Sequence, residues 1–126
     1  MPVAGMNHFT VLTSDLDACK RFYTELLGLE PGFRPDLGFP GVWLYVGGQA
    51  VLHVIAGRPL PADPHGVLDH MAFTATDLPG TVAKLKARQI AYDLRRQAQS
   101  GTWQLFCFDP NGARVELDFD PAEPAP

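Results

Sequence analysis

Four residues of this chain have side chains that bind transition metals and stand at related places: His8, His53, His70 and Glu116. His8 opens the run His8-Phe-Thr-Val-Leu-Thr-Ser-Asp-Leu16, and His70 opens His70-Met-Ala-Phe-Thr-Ala-Thr-Asp-Leu78, with the same Asp-Leu pair closing both. The offset between them is 62 residues in a chain of 126. Self-similarity at a fixed period says that one supersecondary unit is used twice. His53 carried forward by that offset falls one residue short of Glu116, and both sit in short strand-like runs, Ala50–Ile55 and Ala113–Phe119. Each half thus offers two donors. Neutral imidazole and carboxylate suit Zn, Ni, Co, Mn or Fe(II) rather than Ca or Cu(I). A single histidine is more often an ordinary half-buried polar residue. Three histidines and a glutamate at repeat-related places favour a site for one divalent metal ion. His65 has no repeat partner, stands in a Pro-rich run, and is expected to face solvent.

The elements that must position these residues follow from pattern. Met6–Thr13 reads as a strand, Ser14 or Asp15 as the cap of a helix, and Cys19, Phe22, Tyr23, Leu26 and Leu27 as its apolar stripe. Gly28 is a natural helix stop. A short strand over Leu29–Arg34 leads through a proline-bounded loop to the hairpin Val42–Val46, Gly47-Gly48, Ala50–Ile55. The second half repeats the order: a strand from Leu68 or Asp69, a helix capped by Thr76 or Asp77 with Pro79 in its first turn, then strands Tyr92–Arg95, Trp103–Phe108 and Arg114–Phe119. Gln89 stands about where Gly28 stood, a poorer cap. The expected architecture is α+β, two tandem βαβββ units forming a cupped mixed sheet with helices on the outer face. The units span about residues 6–56 and 69–119, with a linker over about 57–68 and a disordered tail over 120–126.

Strand alternation gives the donors a common face. His8 shares its face with Thr10, His70 with Thr74, and Glu116 with Arg114 and Asp118, while Phe9, Val11, Met71, Phe73, Val115, Leu117 and Phe119 point the other way. The His53 strand alternates less cleanly, since Val51 and Ile55 flank it on its own face. If Asp109 pairs with Gly112 across a two-residue turn, Leu105 lies opposite Glu116 and Trp103 opposite Asp118. Trp103 is then a pocket wall, with a core position the equal alternative. Arg114 could hold an anionic substrate or form a surface salt bridge.

Composition sets limits. With 46% apolar and 19% charged residues, the chain can bury a core. A net charge of −4 without a Lys/Arg cluster beyond Arg95-Arg96 argues against nucleic acid as a partner. Two distant cysteines, Cys19 and Cys107, suggest neither a disulfide scaffold nor a cysteine zinc site. No signal-peptide pattern and no membrane-length apolar run stand out, so a cytoplasmic protein is expected.

Two such units, each opened by a histidine, with Asp-Pro-Asn-Gly-Ala-Arg-Val-Glu-Leu117 near the end and Phe22-Tyr23 followed by Leu27-Gly28-Leu29, resemble the vicinal oxygen chelate superfamily over about residues 6–119. That superfamily includes glyoxalase I, extradiol dioxygenases, fosfomycin resistance proteins, methylmalonyl-CoA epimerase and bleomycin-binding proteins. The resemblance implies that His8, His53, His70 and Glu116 are the metal ligands, and that the chain forms a homodimer, often with the site built between chains. The arginine and asparagine that usually contact glutathione are Leu12 and Gly57 here.

Three functions are compatible with these residues. The leading one is a metal-dependent lyase or isomerase that binds two vicinal substrate oxygens and stabilises an enediolate, with Glu116 doubling as the base. The second is an Fe(II) extradiol dioxygenase, with His8, His70 and Glu116 as a facial triad and His53 behind it. The third is a non-catalytic binder of a drug or metabolite, with Trp43, Tyr45 and Trp103 as pocket walls.

Overall fold

The computed structural model describes residues 2–126. The chain divides into two compact units, one ending at Ala62 and the other running from Asp63 to Pro126. In the first, strand β1 (Phe9–Thr13) leads to helix α1 (Leu16–Arg21), which continues as a π-helical turn over Phe22–Leu26; β2 (Glu30–Pro31), β3 (Gly41–Val46) and β4 (Gln49–Ala56) follow. The second repeats this with β5 (Met71–Ala75), α2 (Leu78–Ala87), β6 (Tyr92–Arg96), β7 (Trp103–Phe108) and β8 (Arg114–Phe119). The sheet orders are β1-β4-β3-β2 and β5-β8-β7-β6. In each sheet the first and last strands pair in parallel and the others antiparallel. This is the expected α+β pattern of two βαβββ units.

Local chemistry explains the boundaries. Asp15 caps α1 by accepting the Ala18 amide at 3.0 Å, and Asp77 caps α2 by accepting the Gly80 amide at 3.1 Å. Gly28 takes φ +83° at the end of the first helical segment. Gln89 takes φ +56° at the matching place. There the Ile90 amide bonds to the Leu85 carbonyl and the Gln89 amide to the Lys86 carbonyl, closing α2 in a Schellman motif despite the side chain. Gly47 and Gly48, both at positive φ, form the two-residue β3–β4 turn.

Each unit has its own core. Val11, Leu44, Leu52 and Val54 are buried in the first together with Cys19, Phe22, Tyr23 and Leu26. In the second, Leu105, Cys107, Val115, Leu117 and Phe119 are buried along with Leu78, Val82 and Leu85 from α2. Burial pushes the Cys107 thiol up to about 11, with the Asp109 charge adding to it. Among the described residues no helix is long and apolar enough to cross a membrane.

Two expectations need correction. The tail is not loose: the Glu123 carboxylate accepts the Asp77 and Leu78 amides at 2.8 and 3.1 Å, at the positive end of α2. Its own carbonyl accepts Trp103 Nε1–H at 3.0 Å. Proline content suggested disorder, but a single well-placed carboxylate ties the segment down.

The second correction concerns the β7–β8 turn. Asp109 pairs with Ala113, not Gly112, and its Oδ1 accepts the amides of Asn111 and Ala113, both at 2.8 Å. Gly112 at φ +91° completes a three-residue loop. One extra residue shifts the register and exchanges the faces of β7. Phe106 lies opposite Glu116 and Gln104 opposite Asp118, while Trp103 lies opposite Phe119 on the core-facing side. Trp103 is therefore a core-side residue and not a wall of the donor face.

Replacing Glu123 by Ala is expected to destabilise the fold by about 1–2 kcal/mol, the scale of a lost N-terminal cap. Urea unfolding measures this, and an unchanged midpoint would show that the tail does not cap α2.

Candidate metal centre

The parallel pairing of opening and closing strands brings the donors together in pairs. Thr10 is the register partner of His53, and Ala72 that of Glu116. Each donor on the closing strand thus stands beside the residue two beyond the opening histidine. The one-residue discrepancy in the sequence offset vanishes in the sheet, and His53 and Glu116 occupy equivalent positions.

In the second unit His70 Nε2 lies 3.0 Å from Glu116 Oε1. His70 Nδ1 lies 2.7 Å from Asp69 Oδ2, a carboxylate that can only accept. With Nδ1–H donating to Asp69, an imidazole that carries one proton turns the Nε2 lone pair toward a carboxylate oxygen. Two lone pairs at that distance call for a cation, either a proton or a metal ion. Two ligand atoms each about 2.1 Å from an ion and at right angles to one another are about 3.0 Å apart. The donor pair therefore fits a metal in both chemistry and spacing. Glu116 is buried, and Gln104 Nε2 donates to its Oε2 at 3.4 Å.

In the first unit the imidazoles of His8 and His53 are stacked, with ring centroids 3.7 Å apart, and Trp43 stacks on the other side of His53 at 4.0 Å. His8 Nδ1 donates to Asn7 Oδ1 at 2.7 Å, which leaves Nε2 free to coordinate. Burial holds the His53 pKa below its ordinary value; the His8 and Arg34 charges act the same way, and a hydrogen bond to the Ala50 backbone opposes them. The lowered pKa favours the neutral form of His53. Within neither unit do three His, Cys, Asp or Glu side chains of the described residues gather into a metal-binding group. The first unit presents one pair and the second unit the other.

Sequence reasoning missed the residues that orient the histidines. Asn7 and Asp69 are themselves related by the 62-residue offset, and each holds Nδ1 of the following histidine. The signal was present one position before each run. Orientation of a ligating imidazole by a neighbouring acceptor is the usual outer-shell arrangement of metal sites. Asp69 also accepts from Arg114 at 2.9 Å, and the hydrogen bonds from His70 and then Arg114 hold its carboxyl below the usual range.

Arg114 thus forms a salt bridge and also lines a cavity of about 460 Å³ in the second unit, with Asp69, His65, Phe106 and Phe108. Arg95 and Arg114 lie against the Phe106 ring at 4.8 and 4.3 Å. His65 is exposed as expected and meets the edge of Phe108. Phe106, invisible under the wrong turn register, is the aromatic residue that Trp103 was expected to be.

Asp118 stands two residues beyond Glu116 on the same face, and its Oδ1 is buried without a hydrogen-bond partner. Its carboxyl is pushed up to about 6, by burial first and then by a hydrogen bond to Glu116 and that residue's charge, with His70 opposing. Folding therefore favours the protonated form. The stability it contributes is fully present below its ordinary value of 3.8 and is lost as pH rises through about 6. Asp118→Asn is expected to raise the urea midpoint of chelator-treated protein at about pH 8 and leave it unchanged near about pH 3.5. An equal effect at both pH values would contradict this origin of the shift.

The family model described as "Glyoxalase/Bleomycin resistance protein/Dioxygenase superfamily" matches residues 5–117. The uncharacterized protein YwkD of Bacillus subtilis (strain 168) is 26% identical over 125 residues, covering 93% of this chain and 98% of the relative. Among solved structures, lactoylglutathione lyase from Agrobacterium tumefaciens is 24% identical with a TM-score of 0.68, over 96% of this chain and 97% of that one. The fosfomycin resistance protein FosX from Listeria monocytogenes, complexed with Mn(II) and dihydroxypropylphosphonic acid, is 16% identical with a TM-score of 0.75, over 94% and 93% of the two chains. These two structures share the fold. With the family model covering most of its length, the chain belongs to the glyoxalase/bleomycin resistance/dioxygenase superfamily.

Proposed function

We propose that this protein is a divalent-metal-dependent lyase or isomerase of the glyoxalase type, acting on a small substrate with vicinal oxygens. The observation that carries the reading is His70 Nε2 facing Glu116 Oε1 at 3.0 Å while Asp69 accepts a hydrogen bond from Nδ1–H. With His8 and His53 as the second pair, the chain supplies four donors to one ion of the Ni, Co, Zn, Mn or Fe(II) class. Membership of the superfamily supports this, as does the likeness to a protein complexed with Mn(II).

The bound ion would supply Lewis-acid stabilisation for negative charge on two neighbouring substrate oxygens. The protein's own groups do the rest. Asn7 and Asp69 fix the tautomers of His8 and His70. Glu116, buried and steadied by Gln104, takes the proton from the carbon beside the substrate carbonyl. Asp118, next to Glu116 and easily protonated, is the group to which that proton can pass. Leu12 and Gly57 stand where the resemblance places glutathione contacts, so a glutathione adduct would need another anchor and a different small substrate competes with it on equal terms. We further place the protein in the cytoplasm, in keeping with two unbridged buried thiols. We also expect a homodimer, in which exposed Phe33, Val67 and Leu68 would find cover.

One observation favours a second reading. His53 is held between Trp43 and His8, which suits a residue behind the metal more than a ligand to it. His8, His70 and Glu116 would then form the facial triad of an Fe(II) extradiol dioxygenase.

Chelated protein reloaded with each metal separates the two. The lyase or isomerase reading expects exchange of the carbon-bound hydrogen of hydroxyketones or hemithioacetals in D₂O, followed by proton NMR. Glu116→Gln is expected to slow it by about 10²–10⁴-fold. Exchange at the wild-type rate in that variant would remove Glu116 as the base. Oxygen uptake with catechols by the iron-loaded protein, retained in His53→Ala, would establish the second reading.

A further inference from the structure

Arg34 and Arg58 of the first unit lie beside one aromatic ring, and neither is neutralised by a carboxylate among the described residues. Arg34, in the loop between β2 and β3, lies against Gly41: a Cβ there would stand 2.9 Å from the Arg34 Nη2. Gly41 is two residues before Trp43 on β3, and alternation puts both positions on one face of the strand. Trp43 in turn stacks on His53. A Cβ at Gly41 would meet the Val54 backbone oxygen of the paired strand as well as this guanidinium, so glycine is what fits where Arg34 packs against β3.

Arg34 is held in place by donation from Nη2 to the Phe39 carbonyl at 3.0 Å and by the Phe39 ring, 5.1 Å from its Cζ. Arg58 lies 5.5 Å from the same ring centre. Two like charges beside one ring repel each other, and neither has a carboxylate partner among the described residues. Arg34 Nε–H is buried with no acceptor at all, a state that costs free energy unless something completes it. The second unit shows the contrast. There Arg95 and Arg114 also flank one ring, Phe106, but each is paired, with Asp93 and Asp69 respectively. In a chain with 14 acidic and 10 basic residues, two arginines without carboxylate partners beside one ring are suited to an outside anion.

We propose that Arg34 and Arg58 bind the carboxylate of the substrate. A guanidinium fork matches the two oxygens of a carboxylate, and an oxyanion bridging the exposed guanidinium nitrogens would offset the repulsion between the two positive charges. The substrate class is then a small organic acid whose carboxylate lies a few bonds from its vicinal oxygens. In this functional sense the inference rests on the metal-dependent reading; the binding of the anion does not.

The test uses the full chain after chelation, with benzoate as the probe and benzamide as its neutral counterpart. The side-chain Arg34 Nε–H resonance is followed by nitrogen-15 NMR. The expected result is a saturable shift with benzoate and none with benzamide, with affinity lowered tenfold or more in Arg34→Gln and in Arg58→Gln. If Arg34→Gln does not fold, the exposed Arg58 position carries the test. Equal binding of benzamide, no saturable shift, or unchanged affinity in Arg58→Gln would overturn the proposal. Benzoate binding in a protein that takes up no metal keeps the anion site and rejects the metal-dependent reading. Metal uptake without benzoate binding does the reverse.

Discussion

The parallel pairing of the first and last strand within each unit is the constraint on which the site depends. It places the closing-strand donor beside the opening histidine, and it does so twice from one register, Thr10 with His53 and Ala72 with Glu116. Side chains on rigid neighbouring strands hold positions that a loop could not. The buried residues on the other face fix which side chains point where, because a slip of one residue would bury the donors and expose the core.

Given that frame, small polar residues decide the chemistry. Asp69 accepts a hydrogen bond from His70 Nδ1–H and so leaves Nε2 to face Glu116, while also holding Arg114. Asn7 does the same for His8 without a charge. One pair is therefore imidazole and carboxylate with an anionic support, and the other is two imidazoles with neutral support and an aromatic backing from Trp43. Burial first, and then the neighbouring Glu116, lead Asp118 to favour its protonated form.

Most of the frame was legible in the sequence because repetition and alternation are strong signals. The histidines, the parity of β1, β5 and β8, the stop at Gly28 and the Gly47-Gly48 turn all followed from residue type and spacing. What failed had a local cause that spacing alone does not encode. The Asp109 carboxylate captures two amides and lengthens its turn by one residue, which moved Trp103 off the donor face and put Phe106 on it. The tail was judged by its prolines, whereas Glu123 ties it to the start of α2. Arg34 escaped notice because its meaning depends on a glycine several residues away and on the absence of a partner.

X-ray absorption on metal-loaded protein tests the central claim most directly. The account predicts one ion per chain, nitrogen and oxygen neighbours at about 2.0–2.2 Å, and outer-shell scattering from at least two imidazoles. That imidazole scattering should diminish in both His8→Ala and His70→Ala. A shell without imidazole, or a spectrum unchanged in those variants, would contradict the assignment of these strands as the metal centre.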